Sequence, residues 1–286
     1  MIGANAFLSP LPRARQLAGL ATQALIDEVS LSPKPGLVDR RGSGAHHDLD
    51  WQLMCLSAKT LQPYFQLMAE AAEAESGVSL RESIGEIGRR AESAMLAACN
   101  GVNTHRGAIW ALGLLVTAAA HAPDAQTPEQ IAALAGNLAC LPDRFRPQQS
   151  GHKGERACRD YGVAGARGQA EAGFPHVTRE ALPQLHASRA RGDSETAAHL
   201  NALMAIMCSL DDTCVLARGG SAALLAIQNG ARNVLDAGGT ATLAGRRALM
   251  QLDRRVSTLK VSPGGAADLL ACALFLDRNH LSISDY

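Results

Sequence analysis

Apolar residues recur at three- and four-residue intervals along most of the chain. Leu17, Leu20, Ala21, Ala24, Leu25 and Val29 trace one stripe, and Leu53, Leu56, Leu61, Phe65 and Met68 trace another. That spacing puts side chains on one face of an α-helix. Start signals mark further helices. Ser79-Leu-Arg-Glu82 reads as a capping box, and Thr127-Pro-Glu-Gln130 joins a cap, a first-turn proline and a reciprocating glutamine. More helices are expected over 106–121, 194–217, 220–236, 242–259 and 264–276. No run of alternating β-branched residues predicts a strand. The pattern predicts one all-α globular domain over residues 1–286, of roughly ten helices, with functional loops at the helix junctions and a flexible start at 1–12.

Composition narrows the function. At 47% apolar and a formal net charge of +0, the chain can bury a large core but carries no overall basic field for nucleic acid. Aromatics at 3% leave few platforms for stacking bases. The seven cysteines are scattered, odd in number and form no CxxC pair, which argues against a disulfide framework or a structural zinc site. Residues 1–16 lack the basic-then-apolar order of a signal peptide, and the apolar run 108–120 is too short to span a bilayer. A soluble cytoplasmic protein with no membrane partner is expected.

Polar chemistry is confined to five helix junctions. The first holds Lys34 between prolines, then Asp39, His46, His47, Asp48 and Asp50. Prolines and glycines fix its irregular backbone while charged groups converge. The second is Gly101-Val-Asn-Thr-His-Arg-Gly107, where Asn103 or Thr104 can cap a helix and Arg106 adds charge. Either a plain cap or a phosphate on the helix N-terminus suits it. The third runs from Ser150-Gly-His-Lys through Tyr161 to Gly162, Gly165, Gly168 and Gly173, with Arg159 and Arg167 beside the glycines. It matches neither GxxxxGK[ST] nor GxGxxG, so close packing competes with phosphate contact. The fourth is Leu210-Asp-Asp-Thr213 followed by Arg218-Gly-Gly220, read as the end of an apolar helix. Of its two aspartates, Asp212 is preferred for the site. The fifth is Ser262-Pro-Gly-Gly, with Asp268 one turn inside the next helix and Arg254, Arg255 or Arg278 as competing partners for it.

Taken in order, these junctions resemble the triphosphoribosyl-dephospho-coenzyme A synthase family, which prepares the prosthetic-group precursor of citrate lyase and malonate decarboxylase. The resemblance rests on Lys34-Pro-Gly-Leu-Val-Asp39, Ala45-His-His-Asp48, Asn103-Thr-His-Arg-Gly-Ala-Ile109, Tyr161-Gly, Gly165-Ala-Arg-Gly168, Gly173-Phe-Pro175, Asp212-Thr, Arg218-Gly-Gly220, Ser262-Pro-Gly-Gly and Ala267-Asp-Leu-Leu-Ala271. Each string is weak alone, but their shared order is specific. The chain departs from the family pattern at Arg106, where a lysine is usual, and at Gln169, where a glutamate is usual. The stretch from Tyr161 to Val177 looks more like the malonate decarboxylase branch.

The resemblance implies that ATP and 3′-dephospho-coenzyme A give 2′-(5″-triphosphoribosyl)-3′-dephospho-coenzyme A and adenine. It also implies that the product passes to a separate carrier-protein transferase. An α-linked product from a β-linked donor implies one inverting displacement at the anomeric carbon. Such a transition state needs a base for the acceptor hydroxyl, an acid for the departing adenine and exclusion of water. Asp48, His105, Asp212 and Asp268 are the candidate catalytic residues, with His105 as proton donor or adenine contact. Asp48 and Asp212 are candidate ligands of Mg²⁺. Lys34, Asn103, Thr104, Arg106, Arg167 and Arg218 are candidate nucleotide or phosphate contacts. An alanine-rich surface also suits a homodimer. Two other classes compete: a metal-dependent phosphohydrolase of the His-Asp type, suggested by His47-Asp48, and a non-catalytic partner of a carrier protein. No histidine precedes His46 to complete the former's metal site.

Overall fold

The computed structural model describes residues 12–125, 127–146 and 151–284. Nearly all of the expected flexible start, and Ser150 of the third junction, lie outside them. Among the described residues twelve α-helices follow one another: α1 (Arg13–Ser30), α2 (Trp51–Ala74), α3 (Gly77–Ala98), α4 (Arg106–His121), α5 (Pro128–Cys140), α6 (Lys153–Tyr161), α7 (Gly165–Glu171), α8 (Leu182–Ala190), α9 (Glu195–Met207), α10 (Thr213–Asp236), α11 (Leu243–Leu259) and α12 (Gly264–Ser284). A π-helical stretch, His176–Ala181, leads into α8. Among the described residues no strand forms, and the one bridge joins Asp39 to Gly42 within a loop. The all-α expectation holds.

Two helices form the axis of the core. In α4 every residue from Ala108 to Ala120 except Trp110 is buried, and in α12 every residue from Leu269 to Leu276 is buried. A helix apolar on all sides can only sit inside others. Helices α1, α2 and α5 pack around α4, while α1, α4 and α9 pack against α12. Small residues set the separations. A Cβ on Gly113 of α4 would stand 2.7 Å from Met68 Sδ of α2.

Two boundaries differ from expectation. Ser79 does not begin a helix: α3 already starts at Gly77, and the Ser79 hydroxyl turns back to the Glu75 carboxylate. The helix expected over 194–217 breaks at 208–212, because Asp212 takes an extended backbone (φ −67°, ψ 109°) and caps α10. Helix α10 then runs past Gly219 with a kink at Gly220 (φ 67°, ψ −171°), a backbone that favours glycine. The Thr127 capping box is present as expected.

Candidate active site

The opening loop is folded by its own charges. Buried Asp39 accepts hydrogen bonds from the Lys34 amide (2.9 Å), the Arg41 amide (2.7 Å) and Arg41 Nε (2.8 Å). Asp50 caps α2 by accepting from the Leu53 amide at 2.8 Å. Gly36 lies so close to the segment before α12 that a Cβ there would meet Val261 O at 2.6 Å and Val256 Cγ1 at 2.3 Å. The loop is therefore clamped onto the start of α12. Its lysine does not face solvent. Lys34 is 1% exposed and its ammonium is ion-paired with Glu28 of α1, itself buried. The expected phosphate contact would require this pair to open, since the ammonium is sealed under the Glu28 carboxylate. Asp48 is 63% exposed on the outer part of the loop, 3.8 Å from His46 Nδ1.

At the second junction Asn103 Oδ1 accepts from the Arg106 amide at 3.2 Å, so Asn103 acts as a helix cap. The Thr104 hydroxyl lies 2.5 Å from Ser57 Oγ, and Ser57 Oγ lies 2.8 Å from His105 Nδ1. His105 is buried with no partner at Nε2. Burial, helped by the positive charge of Lys34, lowers its pKa from 6.5 to about 4, so the ring is neutral at physiological pH. Of the two roles expected of it, a neutral imidazole suits the adenine contact better than proton donation. Arg106 binds Glu92 at 2.7 Å and is partly covered.

A stability prediction follows from His105. Its folded pKa lies below its unfolded value, so the unfolded chain takes up the extra proton between them. The contribution is complete above about pH 6.5 and is lost as pH falls towards 4, amounting to about 3 kcal/mol. Denaturant unfolding between pH 7.5 and 4.5 should show a shallower fall for His105→Asn than for the parent chain.

The fourth and fifth junctions meet at two aspartates in contrasting settings. Asp212 Oδ1 accepts from the amides of Cys214 (2.8 Å) and Val215 (3.3 Å), and Oδ2 accepts from the Ala266 amide at 3.0 Å. One buried carboxylate thus caps α10 and ties it to the first turn of α12. Burial raises its pKa, while hydrogen bonds from Ala266, Cys214, Val215 and Gly265 oppose that rise. With both oxygens accepting from amides, Asp212 is a structural bridge, to which its expected roles as metal ligand and base would be additional. Asp268 has no hydrogen-bond partner among the described residues, and none of Arg254, Arg255 or Arg278 pairs with it. Arg278 instead meets Asp27. Burial first, then the charges of Glu28 and Asp212, push the Asp268 carboxyl well above the usual range and favour its protonated form. Its Oδ2 abuts the first turn of α4, where a Cβ on Gly107 would stand 2.1 Å away. Nearby at the start of α12, the buried Ser262 hydroxyl is also without a partner.

The third junction closes on the same region. A Cβ on Gly154 would lie 3.5 Å from Thr213 Oγ1, and one on Gly165 would lie 3.4 Å from Thr213 Cγ2. Trp110 Nε1 donates to Ala166 O at 3.3 Å. A Cβ on Gly220 would meet Tyr161 Oη at 3.3 Å. Arg167 is exposed and paired with Glu171 four residues on, at 2.5 Å. Arg218 is exposed and lies near enough to His46 for its charge to lower the histidine's pKa, after burial as the larger cause. All five junctions therefore converge, joined by contacts between residues far apart in sequence.

Glu28 and Ser57 belong to no motif, yet both lie at the centre of this arrangement. A signal for each was present. Glu28 falls in register with Leu17, Ala21 and Leu25 on the buried face of α1, and Ser57 lies four residues before Leu61 on the buried face of α2. A polar residue on an apolar stripe has to meet another polar group. Among the described residues no group of three or more His, Cys, Asp and Glu side chains is arranged to hold a metal ion. No helix among them is long and apolar enough to cross a membrane.

The CitG family model, ATP:dephospho-CoA triphosphoribosyl transferase, matches residues 14–283. A probable 2-(5″-triphosphoribosyl)-3′-dephosphocoenzyme-A synthase of Azotobacter vinelandii is 58% identical over 279 residues, covering 96% of each chain. The 2-(5″-triphosphoribosyl)-3′-dephosphocoenzyme-A synthase of Klebsiella pneumoniae is 57% identical over 275 residues, covering 95% of this chain and 98% of its own. No solved structure gives a significant match.

Proposed function

The chain belongs to the ATP:dephospho-CoA triphosphoribosyl transferase family, and from that premise we propose how its residues divide the reaction. It is an enzyme that transfers the triphosphoribosyl group of ATP to 3′-dephospho-coenzyme A and releases adenine. The ribosyl C1′–N9 bond of ATP breaks with its electron pair on adenine, while the acceptor 2′-oxygen forms a new bond to C1′. One proton must reach adenine and one must leave the hydroxyl.

The observation that carries the assignment is the contrast between Asp212 and Asp268. Asp212 is buried and Asp268 half-buried, and the two lie within electrostatic reach, but backbone amides stabilise charge on only one of them. Environments that separate two carboxyls in this way divide acid from anion. Asp268 is the acid that protonates the departing adenine. His105 remains neutral, and with a proton on Nδ1 towards Ser57 its Nε2 lone pair accepts from the acceptor hydroxyl, a group that becomes more acidic as it attacks. Ser262 Oγ is a further substrate contact. The buried His105 and half-buried Asp268 suit a site that keeps water from the activated sugar.

The triphosphate lies towards the exposed side, where Arg218 supplies positive charge. Asp48, 63% exposed, is the carboxylate suited to a Mg²⁺ ion. When bound there, the ion would neutralise phosphate charge while keeping most of its water and phosphate ligands. The finer reading is that the product serves a carrier protein of malonate decarboxylase, supported by the resemblance of the Tyr161–Val177 stretch.

Incubation with MgATP and 3′-dephospho-coenzyme A, with the products analysed by mass spectrometry, tests the reaction. Equimolar adenine and the triphosphoribosylated acceptor are expected. Inorganic phosphate with adenine retained on the nucleotide would replace this reading with phosphohydrolysis.

A further inference from the structure

We propose that Ser57 and Thr104 are positioning residues of the transfer reaction, which hold the His105 ring and fix the nitrogen it turns to the acceptor hydroxyl. Their side chains meet where α2 passes the start of α4. Ser57 Oγ lies 2.8 Å from His105 Nδ1 and 2.5 Å from Thr104 Oγ1, and Thr104 Oγ1 lies 3.9 Å from Cys99 Sγ. Ser57 is 0% exposed and His105 3%, so these bonds form away from bulk solvent. Hydroxyls inside other helices of this chain behave differently. Those of Thr22, Thr60 and Thr117 donate to the carbonyl four residues back. Ser57 instead turns its oxygen to two side chains.

A network built only to join α2 to α4 would end with every member satisfied, because each unpaired buried polar atom is costly. This one ends open. The His105 amide donates to Met95 Sδ at 3.2 Å, its carbonyl accepts from the Ile109 amide at 2.9 Å, and Nδ1 meets Ser57. Nε2 has no partner. The residue is thus fixed at three polar atoms, and its fourth is left for a ligand. Gly107, two residues on, abuts the Asp268 carboxyl, which sets this end of α4 beside the candidate acid. Each hydroxyl has one proton, so the chain of bonds has one of two polarities. In the first, Nδ1–H donates to Ser57, Ser57 to Thr104 and Thr104 to Cys99 Sγ, leaving a lone pair on Nε2. In the second every bond reverses and Nε2 carries the hydrogen. A buried N–H with nothing to accept it is the rarer orphan, and a thiol is a weak donor with which to begin the chain. The first polarity follows. The Nε2 lone pair then takes the proton of the 2′-hydroxyl as that oxygen bonds to C1′, while Nδ1–H stays on Ser57. A hydroxyl behind the ring orients it without the added basicity that a carboxylate there would give.

This inference rests on the reading of His105 as the base. Its test is ¹⁵N NMR of the full chain labelled at histidine, with the His105 ring signals identified by their loss in His105→Asn, alongside adenine release from MgATP and 3′-dephospho-coenzyme A. At about pH 7.5 the parent ring should carry hydrogen on Nδ1 and the lone pair on Nε2. Ser57→Ala should shift the ring towards the Nε2–H form and lower kcat by roughly 10–10²-fold, less than loss of the base itself. Thr104→Val should act in the same direction, and Thr104→Ser should restore the parent behaviour. KM for both substrates should stay within about twofold. A parent ring in the Nε2–H form overturns the inference with no variant needed. So do folded Ser57→Ala and Thr104→Val proteins that keep the parent tautomer and rate. If Ser57→Ala does not fold, the parent spectrum and Thr104→Val carry the same comparison. A KM for ATP raised about tenfold in Thr104→Val at unchanged tautomer also overturns it, since Thr104 would then be a phosphate contact. His105→Asn separates the two readings. If it keeps full activity, the base assignment falls and this inference with it; if it loses activity while the Ser57 and Thr104 variants keep theirs, only the positioning role falls.

Discussion

Asp268→Asn should lower kcat for adenine release by about 10²–10⁴-fold, the usual contribution of a positioned general acid. The variant keeps the shape of a protonated carboxyl but has no proton to give at a useful acidity. It should fold, because Asp268 receives no hydrogen bond among the described residues that an amide would forfeit. Its stability should also respond differently to pH. A carboxyl whose folded pKa is raised contributes stability below its unfolded pKa and loses that contribution as pH rises through the folded value. Asparagine removes that loss, so Asp268→Asn should gain on the parent chain in alkaline denaturant titrations. A variant that turns over within a few-fold of the parent rate would end the assignment.

Lys34→Met should destabilise the fold by about 3–5 kcal/mol, the typical cost of leaving one member of a buried pair uncompensated. The methionine fills the space of the lysine stem, so the loss reports the carboxylate of Glu28 stranded without its cation. Urea unfolding measures it directly. KM for ATP, determined on the folded protein, should be unchanged. A stable variant with a strongly raised KM for ATP would instead return Lys34 to the role of phosphate contact.

The helical class and most helix boundaries were legible because burial on one face of a helix imposes a period that the chain displays openly. The exceptions share a cause. Asp211-Asp212 looks like a polar end to an apolar run, yet Asp212 begins the following helix, because its side chain finds free amides on α10 and also on α12, a helix more than fifty residues away. The clustering of chemistry at five junctions was legible too. What could not be read was direction: whether Lys34 pointed outwards to phosphate or inwards to Glu28, and whether His105 lay wet or dry. Both depend on tertiary burial, which decides the charge state of each group. Local spacing records neither.

Helices α1 and α12 are the first and last of the described chain, and they are joined by the ion pair of Asp27 with Arg278, 251 residues apart in sequence. Glu28 comes from one of these helices and Asp268 from the other, with Asp212 held in place by the first turn of α12. During synthesis the growing polypeptide therefore has no bridge between these helix ends until α12 emerges and docks. With Asp268 as the acid, a chain cut short of α12 should be catalytically silent, so that the capacity to sever adenine from ATP would arrive only with that helix.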